Sequence, residues 1–196
     1  MIQEFLKLDY FLFKLINIHF SHKFLDIIFS FFHHAHKSIY IVIPILFLLL
    51  LFIYKDKLNR FSLLLLLPGI ILTDQIGRGI KNLELRERPY IQMSNVRLLV
   101  DVNLNDDGSY KITKSSKKSF PSNHAANIFF IFSFLTFIYP RNKKYFFIIA
   151  LLISISRIYI GVHYPLDVVI GATIGLIISY LMQKVSKRLI RQSIIR

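Results

Sequence analysis

His163 and Asp167 stand four residues apart, a spacing that lets two side chains meet on a helix surface. A carboxylate bonded to one imidazole nitrogen fixes the tautomer and leaves the other nitrogen to act as base or nucleophile. Alone, such a pair is more often two polar groups satisfying each other, but here it has company. Lys81 and Arg88 are seven apart, on one face of a continuing helix until Pro89 limits it. Ser122, Asn123 and His124 follow Pro121 at the start of an apolar run, where free backbone N–H groups and the helix dipole favour an anion. Arg157 closes another apolar run. Three cations, two histidines, a helix N-terminus and one orienting acid suit a phosphate group. Arginine forks match its oxygens, and cations oppose the charge it carries during transfer. With one histidine attacking and the other protonating the leaving oxygen, the set can run hydrolysis with neither metal nor cofactor.

The elements that must position these residues are written in the apolar runs. The 196 residues are 54% hydrophobic, with 25 Lys and Arg against 11 Asp and Glu and a formal net charge of +14. Mean hydropathy is +0.52. So apolar a chain is not disordered, and the absence of cysteine excludes a disulfide scaffold, a thiolate nucleophile and a Cys-ligated metal. Five runs begin or end near the polar residues: Ser38 to Tyr54, Phe61 to Gly77 (broken only by Asp74), Ala125 to Pro140, Tyr145 to Ser156 and Val168 to Met182. Backbone amides in lipid must bond within their own segment, so these runs predict helices. We expect an all-α integral membrane bundle of five to six transmembrane helices, with spans at 38–54, 61–80, 123–140, 144–160 and 166–186. Residues 81–122 form an outer loop, and the whole of 1–196 reads as a single domain. Eleven basic residues in the connections and tail, against Asp56 alone, fall on one side and make it cytoplasmic. The candidate site then lies on the opposite face. Ionisable groups at membrane depth cost about 2.5 to 3.5 kcal/mol each on insertion scales, so four helix ends carrying them to one face mark a functional site. Asp74 and Arg78, at the end of the second run, are candidates to position the cations.

Other segments are less direct. Residues 4–20 carry Glu4, Lys7, Asp9 and Lys14 among aromatics, which suits an interfacial helix. Phe24 to Phe32 is too short to cross alone, so 1–36 reads as interfacial or partly inserted helices, with a sixth span as the alternative. No small-residue cleavage pattern follows, so no cleaved leader is expected. In the outer loop, Val96–Asn103 and Ser109–Lys114 flank Asn105-Asp106-Asp107-Gly108, a turn signal that predicts a small β-hairpin. The Asp101, Asn103, Asn105 spacing opens like a calcium loop but lacks its glycine and closing Glu. His33, His34 and His36 lack a nearby carboxylate, which favours a polar cap or head-group contact over a metal. Gly171 and Gly175 predict close helix packing within the chain.

The polar residues, taken together, resemble the type 2 phosphatidic acid phosphatase and vanadium haloperoxidase superfamily. The resemblance is carried by Lys81 with Arg88-Pro89 (KNLELRERP), Pro121-Ser122-Asn123-His124 (PSNH) and Ser156-Arg157 with His163 and Asp167 (SRIYIGVHYPLD). Asn123 stands where the family most often has glycine. The resemblance implies that His163 forms a phosphohistidine, Asp167 orients it and His124 protonates the departing group. It also implies that Lys81, Arg88, Ser122, Asn123 and Arg157 hold the phosphoryl oxygens. It points to a bacterial inner-membrane enzyme with its site on the periplasmic or extracellular face and its C-terminus cytoplasmic. The implied partners are the bilayer and a membrane lipid phosphate, with no nucleic acid. The substrate it suggests first is undecaprenyl diphosphate or a lipid A phosphate, and then phosphatidylglycerol phosphate or phosphatidic acid. A vanadate-dependent haloperoxidase and an inactive lipid-binding relative are the non-phosphatase alternatives.

Overall fold

Each of the five apolar runs folds as helix in the computed structural model, which describes residues 2–35, 39–56, 59–99, 103–104, 110–111 and 117–195. Helix α1 (Ile2–Lys14) continues into a π-helical turn (Leu15–His19), and α2 (Lys23–Ala35) and α3 (Ile39–Lys55) follow. The second run is two pieces rather than one, α4 (Arg60–Leu64) and α5 (Leu66–Lys81), with a turn at Leu65 between them. After the four-residue α6 (Pro89–Gln92) come α7 (Asn123–Ile138), α8 (Lys143–Tyr159) and α9 (Pro165–Ile195). The last helix runs well beyond the expected 186, because its closing residues include good helix formers such as Gln, Lys and Arg.

Helix α7 is packed against α5, α8 and α9, while α2 lies on α8 and α1 on α9. Two glycines allow the closest of these approaches. A β-carbon on Gly171 would strike the Ser122 carbonyl, and one on Gly175 would strike the Ala126 carbonyl and the Phe130 amide. The two glycines therefore pack helices within the chain. Phe130 and Phe134 of α7 meet Leu63, Leu66 and Ile178 in one core cluster. Phe13, Ala125, Ile158, Tyr164 and Val168 form a second directly beneath the polar residues.

The outward faces are apolar as well. Phe47 is 59% exposed, Leu67 67% and Ile177 55%, which is the pattern of a surface solvated by lipid. Arg60–Lys81, with 22 residues, and Pro165–Arg191, with 27, are long and apolar enough to cross a membrane, whereas Asn123–Ile138 is shorter.

The N-terminal segment departs from expectation at Asp9. It is 5% exposed, on the side of α1 that also buries Phe13, and Asn17 continues this face into the π-helical turn. The charge was expected at an interface; tertiary partners draw it inward instead. In the outer loop, β1 (Asn103–Leu104) and β2 (Tyr110–Lys111) pair antiparallel, Asn103 opposite Lys111 and Leu104 opposite Tyr110. The turn of the expected hairpin lies outside the described residues, as do Asp101, Asn105 and His36.

Candidate active site

The chain reverses tightly between α8 and α9. The amides of Val162 and His163 both donate to the Arg157 carbonyl at 3.2 Å, which wraps the turn over the end of α8. Gly161 makes this possible with φ of 84°, a left-handed conformation, and its missing β-carbon leaves room for the Arg97 carbonyl. Pro165 then opens α9, where its fixed φ is favourable. Arg157 and His163 are thus neighbours by backbone geometry.

His163 and Asp167 are both buried, at 3% and 0% exposure. Their closest approach, His163 Nδ1 to Asp167 Oδ2, is 3.6 Å, too long for a hydrogen bond. Ser119 completes the link. Its hydroxyl donates to Asp167 Oδ2 in a short bond and lies 3.3 Å from His163 Nδ1. The Tyr164 amide also donates to Asp167 Oδ2, at 2.9 Å. Burial pushes the His163 imidazole down to about 4, with Asp167 opposing that shift and Arg88 and Lys81 adding to it. The ring is therefore neutral near neutrality, with a lone pair available on one nitrogen.

The cations come from three places. Lys81 ends α5 and Arg157 lies in the last turn of α8. Arg88 is held by a strip of backbone pairing that closes the outer loop at its base. In that strip Ser119 N donates to Arg86 O at 2.8 Å, Arg88 N donates to Lys117 O at 3.0 Å, and the backbones of Glu87 and Lys118 pair antiparallel. Lys81 and Arg88 interact with each other, and both act on His163 and Asp167. Arg157 is 1% exposed, bonds Ser156 Oγ at 3.2 Å and meets His33 Nδ1 of α2 at 3.1 Å. His33 thus contacts the Arg157 guanidinium. Arg88 Nε and Arg157 Nη2 are buried donors with no hydrogen-bond partner among the described residues. Such donors fit an anion with several acceptor oxygens.

Ser122 caps α7, its Oγ accepting from Ala125 N at 3.4 Å. Its own amide donates to the Asp167 carbonyl at 3.0 Å, so the start of α7 is tied to the start of α9. Asn123 and His124 are the first two residues of α7, both half-buried. As first residue, Asn123 carries a backbone N–H with no acceptor inside its helix. Its side chain is engaged elsewhere: Nδ2 donates to Asp74 Oδ1 at 3.1 Å, and the group fits only because Gly77 has no β-carbon. Asp74 also pairs with Arg78 at 2.6 Å, and the Arg78 side chain is 66% exposed. Asp74 therefore braces Asn123, while Arg78 stays exposed at its side.

Ser119 and Arg86 carry no signal in the sequence, and Asp9 carries little. Arg86 Nη1 bonds Asp9 Oδ2 at 2.6 Å and lies 3.5 Å from Asp167 Oδ1. Arg86 sits two residues before Arg88, yet only the loop closure shows that it faces Asp167. For Asp9 the one available sign was a charge in register with Phe13 and Asn17, four and eight residues on.

A model of the PAP2 superfamily matches residues 62–191. The chain is 28% identical over 120 residues to the bacitracin transport permease protein BcrC of Bacillus licheniformis, covering 61% of this chain and 53% of that one. It is 30% identical over 143 residues to the undecaprenyl-diphosphatase of Sulfolobus acidocaldarius, covering 72% and 62%. The chain thus spans about half the length of the first curated relatives it matches. The crystal structure of Aquifex aeolicus LpxE superposes with a TM-score of 0.69 at 31% identity, over 90% of this chain and 95% of that one.

Proposed function

The chain belongs to the PAP2 superfamily, and from that premise we propose that it is an integral-membrane phosphatase acting on a lipid phosphate. One observation carries the reading: a buried neutral His163, backed by Asp167 through Ser119, is acted on by half-buried Lys81 and Arg88, and Arg88 has a buried Nε donor to spare. A histidine–carboxylate pair satisfying itself would not need those cations.

The proposed reaction has two steps. With its Nδ1 side held by Ser119 and Asp167, His163 attacks phosphorus through Nε2, forming the P–N bond as the P–O bond to the leaving group breaks. His124 donates a proton to that leaving oxygen. Water, deprotonated by His124, then attacks the phosphohistidine and releases inorganic phosphate. Lys81, Arg88, Arg157 and the amides at the start of α7 oppose the charge on the three equatorial oxygens. The buried Asp167 carboxylate stabilises the imidazolium that forms on attack.

Lipid-like faces on the helices keep the acyl or prenyl part of a substrate in the bilayer while its phosphate enters the cationic site. The five apolar runs form the membrane bundle, with the site on the outer face and the C-terminus cytoplasmic. Undecaprenyl diphosphate or a lipid A phosphate is the substrate we favour, the first in line with the undecaprenyl-diphosphatase of Sulfolobus acidocaldarius. Phosphate release by the detergent-purified protein, measured over a panel of lipid mono- and diphosphates, tests this. Release that persists in His163→Ala would overturn the mechanism, and no release from any lipid would overturn the function.

A further inference from the structure

Asp9 is buried although its neighbour Leu8 is 52% exposed, so the turn of α1 that carries it has been placed with care. Burying a carboxylate is costly unless it is paired and hydrogen-bonded, and Asp9 is both. Its Oδ2 takes the Arg86 guanidinium at 2.6 Å, and its Oδ1 accepts the Leu166 N–H, in the first turn of α9, at 2.7 Å. The same Arg86 Nη1 lies 3.5 Å from Asp167 Oδ1. The guanidinium is fixed from a third side by Tyr164, whose ring centroid is 3.4 Å away, and Tyr10 lies at 5.4 Å. One arginine therefore bridges two buried carboxylates, and only one of them serves His163.

We propose that Asp9 and Arg86 are positioning residues for the His163 nucleophile: Asp9 holds Arg86 against Asp167 and offsets its charge, so that Asp167 keeps its negative field for the imidazole. The inference rests on the reading of His163 as the nucleophile. Asp9, Arg86 and Asp167 together carry one net negative charge beneath a ring that becomes cationic when the P–N bond forms. Removing the Asp9 charge leaves Asp167 cancelled by Arg86. The other groups facing His163 are Ser119, which is neutral, and Lys81 and Arg88, which are positive and oppose an imidazolium. Arg86 itself is faced by Asp9, Asp167, Tyr10 and Tyr164. Burial works against its charge, but the two carboxylates outweigh this and raise its pKa, so the bridge stays cationic. Helix α1 lies outside residues 62–191, where the family match falls, yet by this reading it belongs to the catalytic apparatus.

Full-length protein in detergent, assayed with the lipid phosphate it hydrolyses best, gives the test. Asp9→Asn keeps an acceptor for Leu166 N–H and removes the charge. We expect kcat to fall about 10- to 100-fold, the range for partners one step behind a metal-bound histidine, with KM within about 2-fold. Arg86→Gln should also lower kcat, here through loss of the bridge that positions Asp167 and with the His163 titration moving up rather than down, and the double variant should be no worse than the poorer single one, since the two act as a unit. Asp9→Glu should recover part of the loss, and Lys7→Gln, on the exposed side of the same helix, should behave as wild type. In NMR of labelled histidine, the His163 imidazole should titrate lower in Asp9→Asn than in wild type. Near-normal kcat in folded Asp9→Asn, a change in KM alone, or additive losses in the double variant would sink the proposal. Should Asp9→Asn fail to fold, Arg86→Lys, which keeps the charge and loses the bridging fork, is read the same way. If wild type releases no phosphate from any lipid, the function fails separately. The His163 titration then decides the bridge: a downward shift keeps it and an unchanged curve removes it.

Discussion

The two ends of the helical bundle handle their polar groups in opposite ways. At the end away from the site, Asp56 accepts from Tyr139 Oη at 2.7 Å, from Asn59 N at 3.0 Å and from Asn59 Nδ2 at 2.9 Å. Arg60 donates to the carbonyls of Ile53 and Tyr54, and Ser62 bonds Ser186 at 2.7 Å. The donors named there all find acceptors within the protein. At the site end, Arg88 and Arg157 keep buried donors over, and His163 is held neutral. Matched polarity stabilises a fold, whereas surplus donors near a buried neutral histidine fit a ligand.

The difference can be tested by breaking each end in turn. The largest effect belongs to His163→Ala, which should lower kcat by at least about 10³-fold while leaving the melting temperature near wild type. Arg157→Ala removes a donor to the phosphoryl group and should cost about 10²- to 10³-fold in kcat, read in the same phosphate-release assay. The acid limb of kcat/KM should show an apparent pKa near 4, because a protonated His163 cannot attack. Activity then stays flat from about pH 5 to 6.5 instead of declining through the ordinary histidine range. Gly175→Leu should destabilise by about 1 to 3 kcal/mol through overpacking against α7, visible in a thermal melt. The smallest effect is expected at the matched end. Tyr139→Phe should cost about 0.5 to 1.5 kcal/mol of stability and leave kcat within about 2-fold. A large loss of kcat in Tyr139→Phe, or a purely structural effect of Arg157→Ala, would erase the distinction between the ends.

Much of this site was legible because its parts repeat a local logic. His163 and Asp167 share one turn of chain, and Ser122 announces a helix start. Lys81, Arg88 and Arg157 stand out as charges beside apolar runs. Ser119 was not legible, because a serine in a lysine-rich loop has no periodic context. It becomes functional only when residues 117–119 pair with 86–88 and bring its hydroxyl to Asp167. Asn123 enters the phosphate set with its motif, and only the fold shows that its side-chain amide pairs with Asp74.

Composition and spacing alone determined that this chain folds as apolar helices and that cations, histidines and an acid gather at one end of them. Hydrophobic runs and helical periodicity are local properties, and a contiguous stretch of chain states them completely. Only the tertiary structure decided which charges gather around His163 and Asp167. Asp9 and Arg86 lie 77 residues apart, and Asp9 and Leu166 lie 157 apart. An ion pair between distant residues leaves no trace in the spacing of either. Its worth depends on burial and on a few ångströms of approach, and those exist only once α1, the outer loop and α9 have packed together.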